Sequence, residues 1–168
     1  MNLIKHQTLN EVKTVTKPWG CERWIQAGNR DHTYVLKEIE LNTGFRTSIQ
    51  VHQFKAETNF ILEGRGELWY YPEWFDCERY SQGKYTQDEI AYILDNLERI
   101  EYGPGSTMTI EPGTIHRMVA VTDLRFVESS TCHLDDVIRL QDDSNRSHGK
   151  IDSEHQVLFN FPTNGRFL

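Results

Sequence analysis

Between residues 22 and 130 the sequence is cut into short runs in which β-branched and aromatic residues alternate with polar ones, and turn-forming pairs stand between most of them. Runs of this length and period read as half-buried strands, because side chains two apart share one face of a pleated strand. The expected strands are Glu22 to Ala27, Thr33 to Leu41, Phe45 to His52, Glu57 to Glu63, Glu67 to Tyr71, Ser106 to Ile110, His116 to Val121 and Leu124 to Ser130. The turns between them fall at Gly28-Asn29, Thr43-Gly44, Gly64-Arg65-Gly66, Gly103-Pro104-Gly105, Pro112-Gly113 and Thr122-Asp123. Such close spacing leaves no room for crossover helices, so the chain should be all-β and antiparallel, a sandwich or a barrel.

One segment breaks the pattern. Thr86-Gln87-Asp88-Glu89 has the order of a capping box, and Ile90, Ile93, Leu94 and Leu97 follow at helical spacing, which predicts one amphipathic helix from Gln87 to Glu101. With the aromatic stretch from Tyr70 to Tyr85 it makes an insertion, residues 71–102, too long for an idle loop. Two placements are open: a lid over the barrel mouth, with Tyr71, Trp74, Tyr80 and Tyr85 as flat contact surfaces, or a cover on the barrel's outer face, and a dimer contact is a further role for it. The tail, residues 142–168, turns apolar at Val157, Leu158, Phe159 and Phe161, as expected of an end that docks on the domain or on a second subunit.

A length of 168 residues sets the prior at one domain, residues 1–168. Twenty-five acidic against eighteen basic residues give a formal charge of −7, which repels a phosphate backbone and argues against a nucleic-acid partner. There is no apolar run long enough to span a membrane and no signal-peptide pattern at the N-terminus, so a cytoplasmic location is expected. Cys21, Cys77 and Cys132 are odd in number and widely separated, which fits neither a disulfide framework nor a zinc knuckle.

The chemistry concentrates in two stretches. In the first, Gln50 and His52 share a strand face and Glu57 opens the next strand after a short bend. In the second, Pro112-Gly113 makes a turn and His116 begins a strand. If the barrel closes, His52, Glu57 and His116 converge, and two imidazoles with one carboxylate suit a divalent ion, zinc first with manganese, iron or nickel as alternatives. Gln50 would add a weak, neutral fourth ligand.

The spacing of Gly44, His52, Glu57 and Gly64, and of Gly105, Gly113 and His116, resembles the two metal-binding motifs of the cupin superfamily. Gln50 stands where the first histidine of that pattern falls, Pro112 is displaced by one position, and Ala120 replaces the usual asparagine. The strings Lys17-Pro-Trp-Gly20, Ser48-Ile-Gln50-Val-His52-Gln-Phe-Lys55-Ala-Glu57, Pro112-Gly-Thr-Ile-His116-Arg117 and Leu134-Asp-Asp-Val-Ile-Arg139-Leu-Gln-Asp-Asp143 resemble the type II mannose-6-phosphate isomerase cupin domain. The resemblance implies a cupin fold, a double-stranded β-helix or jelly-roll barrel with one inserted α-helix, and a homodimer. It also implies a metal-dependent isomerase that interconverts an aldose and a ketose, on a free sugar or a sugar phosphate. No sugar-nucleotide transferase region precedes Lys17, so guanylyltransferase activity is not expected.

Such a reaction needs an electrophile for the developing oxyanion and a proton carrier at C1 and C2. Lys37 and Glu128 are the candidate catalytic groups, and Arg117, Arg139 and Arg146 are the candidate cations for a phosphate. Two other outcomes remain on the same scaffold: a sugar epimerase or iron-dependent dioxygenase, and a carbohydrate-binding cupin without turnover.

Overall fold

The computed structural model describes residues 4–28 and 32–155. Among the described residues eleven strands and three helices follow in chain order. They are β1 (Lys13–Lys17), β2 (Gly20–Gln26), β3 (Val35–Leu41), β4 (Ile49–His52), β5 (Glu57–Glu63) and β6 (Gly66–Tyr70), then α1 (Cys77–Ser81) and α2 (Gln87–Asp95). After these come β7 (Glu98–Tyr102), β8 (Thr107–Ile110), β9 (His116–Ala120), β10 (Leu124–Ser130), β11 (Val137–Gln141) and α3 (Asp152–His155).

The strands form two antiparallel sheets, in the orders β1-β2-β3-β10-β5-β8 and β11-β4-β9-β6-β7. This is the all-β jelly-roll barrel expected from the sequence. Alternation along each strand sends one set of side chains between the sheets. Ile39, Leu41, Ile61, Leu68, Met108, Ile110, Met118, Leu124 and Phe126 fill one end of that interior. The other end is polar, and the site lies there. No helix among the described residues is long and apolar enough to cross a membrane.

Two turns hold the frame in register. Gly64 (φ +84°) sits so close to the Asp123 carbonyl that an added Cβ would lie 2.1 Å from its oxygen, so only glycine fits there. Gly113 (φ +82°) donates its N–H to the His52 carbonyl at 2.8 Å and lies under the Trp74 indole, tying the two site-bearing stretches together.

The capping box at Thr86 and Glu89 is formed, but α2 stops at Asp95 and residues 98–102 are strand β7. The helix expected to reach Glu101 is therefore shorter. Glu98 to Tyr102 finds a full ladder along β6 and becomes the edge of that sheet, and ladder hydrogen bonds outweigh local helical spacing.

The insertion covers the outer face of the second sheet. Ile49 and Val51 of β4, with Ile115, pack under Phe75, Cys77 and Ile93, and Tyr71, Tyr80, Tyr85, Ile90, Leu94 and Leu97 lie around them. Phe75 stacks on Tyr85 with ring centroids 4.7 Å apart. Of the two placements open from the sequence, the outer cover is the one adopted. The apolar tail residues and the Gly28-Asn29 turn extend beyond the described residues.

Candidate metal site

Cross-strand register builds the site. In the first sheet Trp24, Lys37, Glu128 and Asn59 stand side by side across β2, β3, β10 and β5. In the second, Arg139, Gln50 and His116 do the same across β11, β4 and β9. Residues opposite one another in antiparallel strands share a face, so both rows point into the barrel. The β4–β5 bend adds His52, Lys55 and Glu57.

His52, Glu57 and His116 are all buried, and one potential ligand atom from each lies within 4.8 Å of the others. His116 Nε2 stands 3.4 Å from Glu57 Oε1. That is close to the edge of a tetrahedron whose ligands sit about 2.1 Å from a central ion. The outward ring nitrogens are anchored: His52 Nδ1 lies 3.2 Å from the Asp136 carbonyl and His116 Nδ1 lies 2.9 Å from the Thr114 carbonyl. A carbonyl only accepts, so both Nδ1 atoms carry a proton, and in the neutral ring this leaves the Nε2 lone pair facing the site. Both Nε2 atoms are buried without a hydrogen-bond partner. Burial first, and then the Lys55 ammonium, push the His52 pKa down to about 3, so this imidazole is neutral over the ordinary pH range.

Gln50 is half-buried beside this group, and its Oε1 accepts from the Ser48 hydroxyl at 2.7 Å, keeping one lone pair for a further partner.

A line of alternating charges runs from the cluster. Lys55 Nζ contacts Glu57 Oε2 and lies 2.9 Å from Glu128 Oε1, which Lys37 approaches at 3.8 Å. Lys37 reaches Glu22 at 3.2 Å, and Lys17 bridges Glu22 at 3.5 Å and Glu154 at 2.8 Å. Burial would raise the Glu57 carboxyl, but the Lys55 ammonium beside it holds it well below the usual range. Burial would lower Lys37 and Lys55, yet the flanking carboxylates of Glu128, Glu22 and Glu57 raise both. Both lysines are therefore ammonium ions. As an ammonium ion Lys37, one of the two candidate catalytic groups, suits a proton donor rather than a base.

The candidate cations separate. Arg139 lines both cavities at the site, and its Nε is buried without a partner, while Nη1 donates to the carbonyls of Ser147 and Gly149. Arg146 also borders one cavity but is engaged by Asp142 at 2.7 Å and Glu154 at 3.3 Å. Arg117 lines neither. It follows His116 by one residue, so alternation turns it to the outer face, beside its β6 partner Trp69, where its Nε donates to the Thr47 carbonyl.

Three groups emerge that the sequence reading did not place. Lys55 lies two residues before Glu57 in the polar bend. Asp136 accepts the N–H groups of Gln53, Phe54 and Lys55 on its carboxylate, at 2.7 to 3.2 Å, and so fixes that bend while its carbonyl orients His52. Asn59 keeps an unpartnered buried Oδ1 at the cavity wall. The i, i+2 spacing of Lys55, Glu57 and Asn59 is the signal that could have found two of them.

The two cavities at the cluster are small, about 80 and 100 Å³, and share Lys17, Glu22, Gln50, Glu128 and Arg139. Segment 146–151 walls their outer side through Arg146, Gly149, Lys150 and Ile151. No insertion residue lines either. A groove of about 450 Å³ on the insertion, with Tyr71, Trp74, Phe75 and Tyr92 in its wall, shares no residue with them.

No family model and no curated protein matches the sequence. Solved structures do match. CapF, a capsular polysaccharide assembling protein of Staphylococcus aureus, is 14% identical over 77% of this chain with a TM-score of 0.54, and this chain spans about a third (32%) of CapF's length. An ectoine synthase from P. lautus is 14% identical, with 76% of this chain and 78% of that one covered and a TM-score of 0.56. The polyketide cyclase RemF from Streptomyces resistomycificus is 20% identical, covering 82% of this chain and 85% of that one, with a TM-score of 0.54. A protein from Klebsiella pneumoniae described as having a double-stranded β-helix domain matches as well, at 11% identity and a TM-score of 0.53. At these identities the likeness is one of fold, and the fold is the cupin barrel.

Proposed function

We propose that this cupin-fold chain is a metal-dependent enzyme acting on a small polar carbonyl compound, and that its reaction is aldose–ketose interconversion of a sugar or sugar phosphate. The observation that carries the metal is the pair of buried Nε2 lone pairs, unpartnered and held by carbonyls behind them, converging on an ionised carboxylate. His52, Glu57 and His116 would hold the ion, with Gln50 Oε1 as a neutral fourth donor. A bound divalent ion supplies an electrophile for a carbonyl or hydroxyl oxygen.

The remaining residues suit the proton work. Glu128 borders both cavities, held by Lys37, Lys55 and the Ser130 hydroxyl at 3.2 Å, and is the carboxylate placed to take a proton from carbon. The Lys37 and Lys55 ammonium groups neutralise it and offer protons to an oxygen that gains charge. Arg139 offers its free Nε–H to a phosphate or hydroxyl at the outer wall. The neighbours with enzyme names support catalysis in general; the isomerase reading rests on the Gln50, His52, Glu57 and His116 arrangement and on the sequence strings around it.

The test is incubation of metal-loaded protein with mannose 6-phosphate, fructose 6-phosphate, lyxose and mannose in deuterated water. The proposal expects interconversion with deuterium entering at C1 or C2. Sugar binding without exchange on any of them would overturn the isomerase assignment and leave the carbohydrate-binding alternative. Oxygen uptake by the ferrous protein alone would move the assignment to a dioxygenase.

A further inference from the structure

Glu57 offers two oxygens and the structure divides them. Oε1 faces His116 Nε2 at 3.4 Å, while Oε2 is held by the Lys55 ammonium, which is also 2.9 Å from Glu128 Oε1. Lys55 is as buried as its two partners, 6% exposed in each case. Water does not carry its charge, so the two carboxylates must. From this division of one carboxylate we infer that Lys55 is a resident cation that competes with the metal for Glu57, setting the metal affinity of the site below what its ligands alone would give. The inference rests on the metal reading above and adds to it the residue that tunes it.

The electrostatics fix the sign. With Lys55 in place, a divalent ion arrives at Glu57 beside an ammonium that Glu57 and Glu128 share. Without it, the same ion meets Glu57 with no ammonium beside it, and Glu128 keeps Lys37 at 3.8 Å. Even with the screening of bulk water, a unit charge about 5 Å from a divalent ion changes binding by roughly tenfold, and a buried site screens less. Orientation works the other way, because loss of an outer partner of a ligand typically costs about 10- to 100-fold in affinity. Here the turn bonds to Asp136 and the Asn59 amide remain to hold Glu57, so the charge effect should win.

Two variants move in opposite directions. Lys55→Met removes the competing cation and should tighten zinc binding tenfold or more, while lowering the melting temperature of the metal-free protein, whose buried carboxylates lose their partner. Glu128→Gln leaves Lys55 with Glu57 alone and should weaken zinc binding. Lys55→Arg keeps the charge and should stay within a few fold of the parent, which covers the case in which Lys55→Met folds only with metal. Zinc affinity is read by competition with a chromophoric chelator, and stability by thermal unfolding with and without zinc. A merely structural Lys55 would lower affinity and stability together. Zinc binding that requires His52 and His116 but is unchanged or weaker in Lys55→Met overturns this inference and spares the metal site. Failure of the parent to bind zinc overturns both.

Discussion

Glu22 offers a stability test that is independent of any ligand. Its carboxylate is buried between Lys37 at 3.2 Å and Lys17 at 3.5 Å and accepts the Trp24 indole N–H at 2.9 Å. Burial acts to raise its pKa, but the two ammonium groups and the indole overcome that and hold it at about 2, against an ordinary value of 4.5. A depressed carboxylate contributes stability above its unfolded pKa and loses it as pH falls through the folded one. At about 1.4 kcal/mol per pKa unit, the shift is worth about 3 kcal/mol at pH 7 and about 1 kcal/mol at pH 3, with little left at pH 2. Glu22→Gln keeps the shape and removes the charge. Urea unfolding of both proteins from pH 7 down to pH 3 should show a difference of about 3 kcal/mol that shrinks steeply below pH 4.5. A difference that stays constant with pH, or one below about 1 kcal/mol at pH 7, would refute the claim that the buried lysines ionise this group.

Phe75→Ala should cost about 3 to 5 kcal/mol in denaturant unfolding, because the side chain is fully enclosed beneath the insertion. Thr86→Ala removes the hydroxyl that accepts the Glu89 N–H, the side-chain half of the capping box, and should cost about 1 kcal/mol without changing metal content. Replacing residues 71–102 by a short turn uncovers Ile49, Val51 and Ile115; aggregation or loss of cooperative unfolding is expected, and a stable, soluble deletion protein would contradict the outer-cover role. Arg139→Met should weaken an anionic ligand of the cavity with little change for a neutral one, as read by ligand-induced shifts in melting temperature.

Much of the barrel was legible because its signal is local. β5 and β10 have the bounds that alternation and turns give them, Glu57–Glu63 and Leu124–Ser130. β7 was hidden because Ile100, three residues after Leu97, continues the helical spacing of Ile90, Ile93, Leu94 and Leu97, and only the open edge of β6 makes a strand there. β1 and β11 are short and carry weak patterns, and their partners β2 and β4 lie far off in sequence for β11 and across a tight turn for β1. The site divides in the same way. His52, Glu57 and His116 were visible because spacing along three strands reports which face a side chain takes. Arg117 could have been set aside on that rule, since it alternates with His116. The network of Lys55, Glu128, Lys37 and Glu22 was not visible as a whole, because three strands and a bend must first be brought into register before their charges meet. That meeting is what keeps Lys37 an ammonium ion despite its burial, and the residues beside it along the chain do not reveal it.

Metal content is the most direct test of the account. The purified protein, loaded with zinc and dialysed, should retain about one ion per chain by elemental mass spectrometry, and His52→Ala and His116→Ala should each reduce this to a small fraction while keeping the parent's far-ultraviolet circular dichroism. Parent protein that retains no zinc, or histidine variants that retain all of it, would contradict the assignment of His52, Glu57 and His116 as a metal centre.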